Sequence, residues 1–406
     1  MNNKRTEIFV NPYNFIPLGN GVDRKEKKSL SEGSLTGYIS CKLTVKTPLL
    51  LPDHSAETEK NKFEFYSVLN EPTIPGSELR GCIRSVFETV TNSCLSVLDD
   101  KEKVKGVVVP VFDMVNHTNR EKPYTPCKNN GLCPACSLFG ALGKASAIRF
   151  SDARGINVEL DDDFRILPEF SSPKFSTMSF YTFNSNTEYN EKNEYYPRWK
   201  YKDVNTYIRG RKYYFHKNVD DRQIKMGPRQ IATKSAKKGE FNFKVYFEKI
   251  TEKELKQLLW VLTLGENSSD SKLMHKLGMG RPVGYGSVKI TVQKSGIFLR
   301  KIEKGSYITE VKSFEDYAIA SYDTSLSMDE DAVRKLLTIC NFDYLKDYEV
   351  SYPLSYDSHG NVEPSFKWFN NNDVTENKMK VGYRQILPTI SDDLTEKPIL
   401  KTTMKK

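Results

Sequence analysis

Two short runs decide how this chain reads: Ile74-Pro75-Gly76-Ser77-Glu78-Leu79-Arg80-Gly81 and Gly278-Met279-Gly280-Arg281-Pro282-Val283-Gly284-Tyr285-Gly286. The first opens a helix whose early N–H groups have no intrahelical partner, with an arginine one turn in. The second is a glycine-dense loop running into a strand. Both are ways of bringing backbone close to phosphate.

Working outward, the elements read as strand, helix, strand, strand, helix, strand. Tyr38 to Thr47 alternates, with Ile39, Cys41, Leu43 and Val45 on one face. A helix follows from Ser77, its expected N-cap, to about Thr91, with Leu79, Ile83, Val86, Phe87 and Val90 as its apolar stripe. Ala147 to Ser151 is a short strand. Phe241, Phe243, Val245 and Phe247 share one face of another. Thr251 and Glu254 form a capping box for a helix that Gly265 stops. Ser287 to Val292 is the last strand. This order predicts an α+β, ferredoxin-like (RRM-like) βαββαβ domain. Two long insertions stretch it, at about 95–145 and 155–239. A C-terminal α+β extension should follow. Its one clear helix runs from Ser327 to about Ile339, capped by Ser327 and Glu330, and Asp392–Lys406 reads as a polar tail. The expected domains are an N-terminal arm (1–34), the central domain (35–296) and an acidic region (297–406).

The formal net charge of +9 is local rather than diffuse. Residues 195–238 hold thirteen basic and three acidic residues, a net +10. Residues 300–406 hold fifteen basic and eighteen acidic residues, a net −3. The basic block also carries Tyr195, Tyr196, Trp199, Tyr201, Tyr207, Tyr213, Tyr214 and Phe215. Cations interleaved with aromatics suit single-stranded nucleic acid, because the cations track phosphates and the rings stack on bases. A solvated basic loop is the plainer alternative.

The glycine loop is G-x-G-x-x-x-G-x-G, follows a helix and contains Pro282. A dinucleotide site needs G-x-G-x-x-G between a strand and a helix, so nicotinamide or flavin binding is excluded. No secretory leader or apolar span is evident, which predicts a cytoplasmic protein without a membrane partner. Cys127, Cys133 and Cys136 are spaced C-x5-C-x2-C. In that compartment the spacing points to structural zinc rather than to disulfides. His117 is the first candidate for a fourth ligand and Cys94 the second.

Jointly, the two opening runs resemble the RAMP superfamily, the RNA-binding subunits of CRISPR effector complexes. There an I-P-G-S-x-L-[KR]-G run starts the first helix and a glycine-rich loop precedes the last strand. Cys133-Pro134-Ala135-Cys136-Ser137-Leu138-Phe139-Gly140 is similar to a C-x-x-C-x-L-F-G run of type III subunits, and Ile208–His216 resembles a mark of one type III subfamily. The resemblance covers about residues 35–293. It implies a backbone-type subunit that grips guide RNA by its sugar-phosphate backbone, with complementary target RNA and other effector subunits as partners. The RNA-binding candidates are then Gly76, Ser77, Arg80 and Arg84 on the helix, Arg209, Arg211 and Lys212 in the basic segment, and Gly278, Met279, Gly280 and Arg281 in the loop.

Some type III subunits cut target RNA with an acid in the loop between first strand and first helix, aided by Mg or another divalent cation. Asp53 is the candidate catalytic residue, although the segment directly before the helix, Phe63–Glu71, holds Glu64 and Glu71 but no aspartate. A repeat-processing endonuclease of the same superfamily, with His54 or His216 as acid or base, is one alternative. A non-catalytic capping subunit is another.

Overall fold

The structure is a computed structural model that describes residues 6–25, 35–96, 102–104, 107–109, 122–128, 131–169, 178–184, 188–198, 206–219, 230–320, 324–357, 359, 362–363, 365–391, 393 and 395–403. It is a mixed α+β protein. The alternating segments form the centre of a ten-stranded sheet. Strand β1 (Leu35–Val45) buries Ile39, Cys41, Leu43 and Val45. It lies between β4 (Ser287–Glu303) and β3 (Ser235–Ile250), and β3 in turn pairs with β2 (Ala153–Leu160). All three pairings are antiparallel, so the central order is β4–β1–β3–β2.

One face of this sheet is covered by α1 (Gly76–Val90) and α3 (Glu252–Thr263), which also touch each other. Leu79, Ile83, Val86 and Phe87 of α1 and Leu255, Leu258, Leu259 and Trp260 of α3 are buried against the inward side chains of β1 and β3. Burying side chains of this size contributes roughly 1.5–3 kcal/mol each. The capping box at Thr251 and Glu254 is present, and Leu264 closes α3 in the left-handed conformation.

Several boundaries differ from the sequence reading. The strand expected at 147–151 is Ile148–Phe150, and the chain then re-enters the sheet as β2. The second insertion therefore begins after residue 160. Arg154, Ile156, Asn157 and Glu159 of β2 are exposed, so β2 lacks the apolar alternation that marks a strand. The last strand does not stop at Val292 but continues past a bulge to Glu303 and returns as β5 (Ser306–Lys312).

The acidic region packs into the same core. Helix α4 (Glu330–Cys340) buries Val333, Leu336 and Ile339 and lies on α1. The boundary expected at residue 296 falls inside β4. The N-cap of α4 is Asp329, whose carboxylate accepts from the Ala332 N–H at 2.9 Å. Ser327, the expected cap, instead has φ 50° and bonds Lys253. The expected polar tail supplies the strand Ile399–Thr403, antiparallel to Thr6–Val10. Tyr13–Ile16 pairs with Arg211–Tyr214, which ties the N-terminal arm to the basic segment. Among the described residues no helix is long and apolar enough to cross a membrane.

Losing a cap carboxylate costs about 1 kcal/mol. Asp329→Ala should lower the stability measured by urea unfolding by that amount. Ser327→Ala should change it by less than half as much. Equal effects would return the cap to Ser327.

Candidate nucleic-acid interface and metal centre

Helix α1 starts at Gly76, one residue before the expected cap, and Pro75 at the cap position offers no side-chain bond. The Gly76 N–H donates to Asp152 Oδ1 at 2.8 Å, so the first helix donor already has an anion. A Cβ on Gly76 would lie 2.5 Å from the Phe150 carbonyl oxygen. The glycine is therefore required by close packing of the chain on itself. Ser77 is exposed in the first turn.

Arg80 and Arg84 point toward the cysteine-containing segment. Arg80 Nη2 donates to the Phe139 carbonyl. Arg84 bonds Glu88 Oε1 at 2.8 Å through Nε, the Gly140 carbonyl at 3.1 Å through Nη1, and Cys136 Sγ at 3.7 Å through Nη2. Arg211 reaches Glu88 Oε2 at 3.5 Å and the carbonyls of Ser93 and Cys94. Both Arg80 and Arg84 also line a cleft of about 370 Å³ that includes Lys144 and Ser146.

Those arginines surround four buried sulfurs. Cys94 follows the end of α1, Cys127 lies in the segment 122–128, Cys133 caps the short helix α2 (Pro134–Phe139) and Cys136 sits in its first turn. The four Sγ atoms lie within 4.8 Å of one another. Cys94 and Cys136 are 3.5 Å apart, and Cys94 and Cys133 3.7 Å. Four thiolates about 2.3 Å from a tetrahedral ion would be roughly 3.8 Å apart, so the residues fit a metal. The Cys133 N–H donates to Cys127 Sγ at 3.3 Å and the Cys136 N–H to Cys133 Sγ at 3.4 Å. Such bonds orient ligands and favour the thiolate. The Cys133 thiol is held well below its ordinary value by hydrogen bonds from Cys127, Cys136 and Cys94. A divalent ion with four thiolates carries −2, and Arg84 and Arg211 are placed to balance it. Cys94 is the sulfur that completes the cluster. His117 lies outside the described residues.

The glycine loop packs against protein. Cβ atoms at Gly278 and Gly286, both at positive φ, would meet the carbonyl oxygens of Leu50 and Leu277 at 2.4 and 1.9 Å. The Met279 N–H donates to the Leu50 carbonyl at 3.0 Å, and Gly280 is buried. Arg281 is exposed, with its guanidinium 5.4 Å from the Tyr214 ring. Lys212 sits over the other rings of this cluster, 3.7 Å from the centroid of Tyr13 and 5.0 Å from that of Tyr214, and donates to the Tyr181 hydroxyl at 3.1 Å. Lys276 donates to the Gly284 and Tyr285 carbonyls.

None of these three cations makes an ion pair with a carboxylate among the described residues. Burial, with the Arg281 charge, lowers the Lys212 ammonium to about 8. Burial, with the charges of Lys217 and Arg281, lowers Lys276 well below the ordinary lysine value. The Cys82 thiol of α1 donates to the Lys276 carbonyl at 3.6 Å, is raised by burial, and feels the charges of both Arg281 and Glu78. The loop and the first half of α1 thus share one surface. Arg209, by contrast, is buried, its guanidinium bonded to the Thr182 and Ser179 carbonyls and lowered to about 10 by desolvation. It holds the fold rather than facing outward.

Asp53 lies on the strand Pro52–Glu59, and its Oδ1 accepts from the Ser55 N–H at 3.0 Å and hydroxyl at 2.6 Å. Among the described residues the cysteine cluster is the only grouping of three or more His, Cys, Asp or Glu side chains able to hold a metal, so Asp53 belongs to no such grouping among them. His216 is buried, bonds Ser287 Oγ at 2.9 Å, and is pushed well below its ordinary value by desolvation. His54 packs edge-on against Phe63. Sequence reasoning missed Asp152 and Lys276, which no local pattern marks. Tyr13 lies in the run Asn11-Pro12-Tyr13-Asn14, and nothing in that run indicates a lysine partner.

The metal assignment has a direct check. Purified protein should hold about one metal ion per chain by elemental analysis, released when thiols are titrated with a mercurial. Cys94→Ser should lower the content well below that, and His117→Ala should leave it unchanged. Metal lost with His117→Ala would remove Cys94 as the fourth ligand.

No curated protein matches the sequence. Among solved structures, the crystal structure of Thermofilum pendens Csc2 is similar over 76% of this chain and 84% of that one, at 13% identity and a TM-score of 0.30, which is too distant to carry an argument. The RAMP superfamily model matches residues 42–289, more than half of the chain and the stretch that contains β2, β3, α1, the cysteines and the glycine loop. This chain belongs to the RAMP superfamily.

Proposed function

We propose that the chain is a guide RNA-binding subunit of a type III CRISPR effector complex, acting in the cytoplasm with target RNA and other effector subunits as partners. The observation that carries this reading is the convergence of Arg281 and Lys212 beside α1, with the buried Lys276 behind them and no carboxylate paired to any of the three among the described residues. Cations held together without acids repel one another and favour a polyanion. Carbonyls and tyrosine rings hold them in place, so little side-chain entropy remains to be lost on binding. The strand order β4–β1–β3–β2 with two helices on one face supports a ferredoxin-like core. The cysteine cluster is read as structural zinc. It would fix the Phe139–Gly140 carbonyls that orient Arg80 and Arg84 along the same helix.

In this reading Arg281 and Lys212 are the outer phosphate contacts, and Arg80 with Lys144 supplies a second one from the cleft beside the cysteine segment. Arg84, Arg209 and Arg211 act as internal ties. The buried His216 argues against that residue as the acid or base of the repeat-processing alternative, which leaves the exposed His54 as its candidate, since a general acid or base must reach its substrate. Asp53 is the residue to test for metal-dependent cleavage.

Two outcomes test the grip. Arg281→Ala should weaken binding of single-stranded RNA equally for unrelated sequences, and should reduce the slope of log affinity against log salt by about 0.7, one phosphate contact. A sequence-selective loss would sink the assignment. Lys212 binds anions only when protonated, and its folded value of about 8 is below the ordinary one. Affinity should therefore fall as pH rises from 7 to 9, and Lys212→Gln should flatten that profile.

The same reading makes a prediction about cleavage. With Mg2+ present, Asp53→Asn should bind guide and target normally but leave the target uncut. Cleavage at the wild-type rate would remove Asp53 from the chemistry.

A further inference from the structure

The cleft beside the cysteine segment has a volume of about 370 Å³ and is formed by α1, the end of α2 with the turn that follows it, and the segment 122–128. That size falls within the roughly 300–1,000 Å³ of sites that hold one small organic ligand. Arg80 and Lys144 form its cationic side, and no acid lines it among the described residues. Arg84 also reaches the cleft but is already paired with Glu88. Arg80 uses one N–H donor on the Phe139 carbonyl, and the rest of its guanidinium fork is open. Among the described residues neither Arg80 nor Lys144 has a carboxylate partner, and Lys144 bonds only through its backbone.

The other side of the cleft is apolar, with Pro126, Ala141 and Leu142. Leu142 is 96% exposed and is fixed in that position by its turn. The Ala141 N–H donates to the Lys144 carbonyl at 3.1 Å and the Lys144 N–H to the Ala141 carbonyl at 2.8 Å. Gly143 turns the chain between them at φ 76°. A Cβ on Gly140 would lie 2.8 Å from the Lys144 carbonyl oxygen, so the turn is seated directly on the end of α2. Cations and apolar wall are therefore preformed, and little ordering entropy is lost when a ligand enters.

We propose that this cleft binds a nucleoside phosphate, with the phosphate on Arg80 and Lys144 and the base against Pro126 and Leu142. An open guanidinium fork beside an ammonium suits several phosphate oxygens at once, which a single carboxylate does not supply. A flat base covers the Leu142 wall and removes it from water, whereas a sugar phosphate would leave that wall wet. The phosphate half of this inference rests on the contact proposed above for Arg80 and Lys144. The base half does not. The nucleotide is one unit of a bound strand or a free molecule, and the recognition chemistry is the same for both.

The test is isothermal titration of the full chain with adenosine monophosphate, adenosine and inorganic phosphate. Adenosine monophosphate should bind about tenfold more tightly than either fragment, and Arg80→Ala or Lys144→Gln should each weaken it about tenfold. Lys144→Gln lies on an exposed turn and decides the matter if Arg80→Ala misfolds. Leu142→Ser should weaken adenosine monophosphate about threefold and leave inorganic phosphate unchanged. Inorganic phosphate binding as tightly as the nucleotide would reduce the cleft to an anion site and overturn the proposal. So would no binding of adenosine monophosphate, or binding that ignores Lys144→Gln and Leu142→Ser. A second titration in saturating uridine decamer separates the sources. Nucleotide binding abolished by the decamer assigns the cleft to one unit of the strand, and binding that persists assigns it to a free nucleotide. The first titration needs no RNA, so it remains decisive even if the chain binds none and the guide reading fails.

Discussion

Glu88 is a buried carboxylate held between two arginines, and the arrangement around α1 depends on it. Arg84 reaches it from one turn earlier on the same helix and Arg211 from the strand Arg211–Tyr214. Burying one charge is costly unless it is paired and hydrogen-bonded. Once paired, the group joins segments far apart in the chain. Arg84 continues to Gly140 and Cys136, and Arg211 to Ser93 and Cys94. The helix, the cysteine segment and the inserted basic strand are therefore held by one polar network on the side of α1 away from the sheet.

That network also explains a division of labour among the basic residues. Arginines that make several bonds to carbonyls and to Glu88 are inside, where a planar guanidinium with five donors can satisfy many acceptors. Lys212, Lys276 and Arg281 lie on the other side of α1, next to the glycine loop, with rings and carbonyls as neighbours. The loop's glycines allow it to lie against Leu50 and Leu277, and that close packing is what positions Arg281 at the tip. Backbone closeness, expected to serve a ligand, serves the protein first.

The region after residue 300 is joined to the rest by the same logic of shared surface. α4 buries its apolar face on α1, and Ile399–Thr403 closes on Thr6–Val10. That pairing satisfies backbone groups of Thr6–Val10 and Ile399–Thr403 in each other.

The sequence by itself determined the main elements. Strict alternation in β1 and β3, the 3.6-residue stripe of α1 and the capping box of α3 are local signals, because each depends on residues within one or two turns of each other. The glycine loop and the cysteine spacing were legible for the same reason. Only the tertiary structure decided which partners those residues take. That Cys94 completes the sulfur cluster, that Asp152 occupies the start of α1, and that Arg84 turns inward while Arg281 faces out all depend on contacts across tens to hundreds of residues. A side chain's charge is written in the sequence. Whether that charge is spent inside the fold or left for a ligand is set by what the folded chain brings within hydrogen-bond reach.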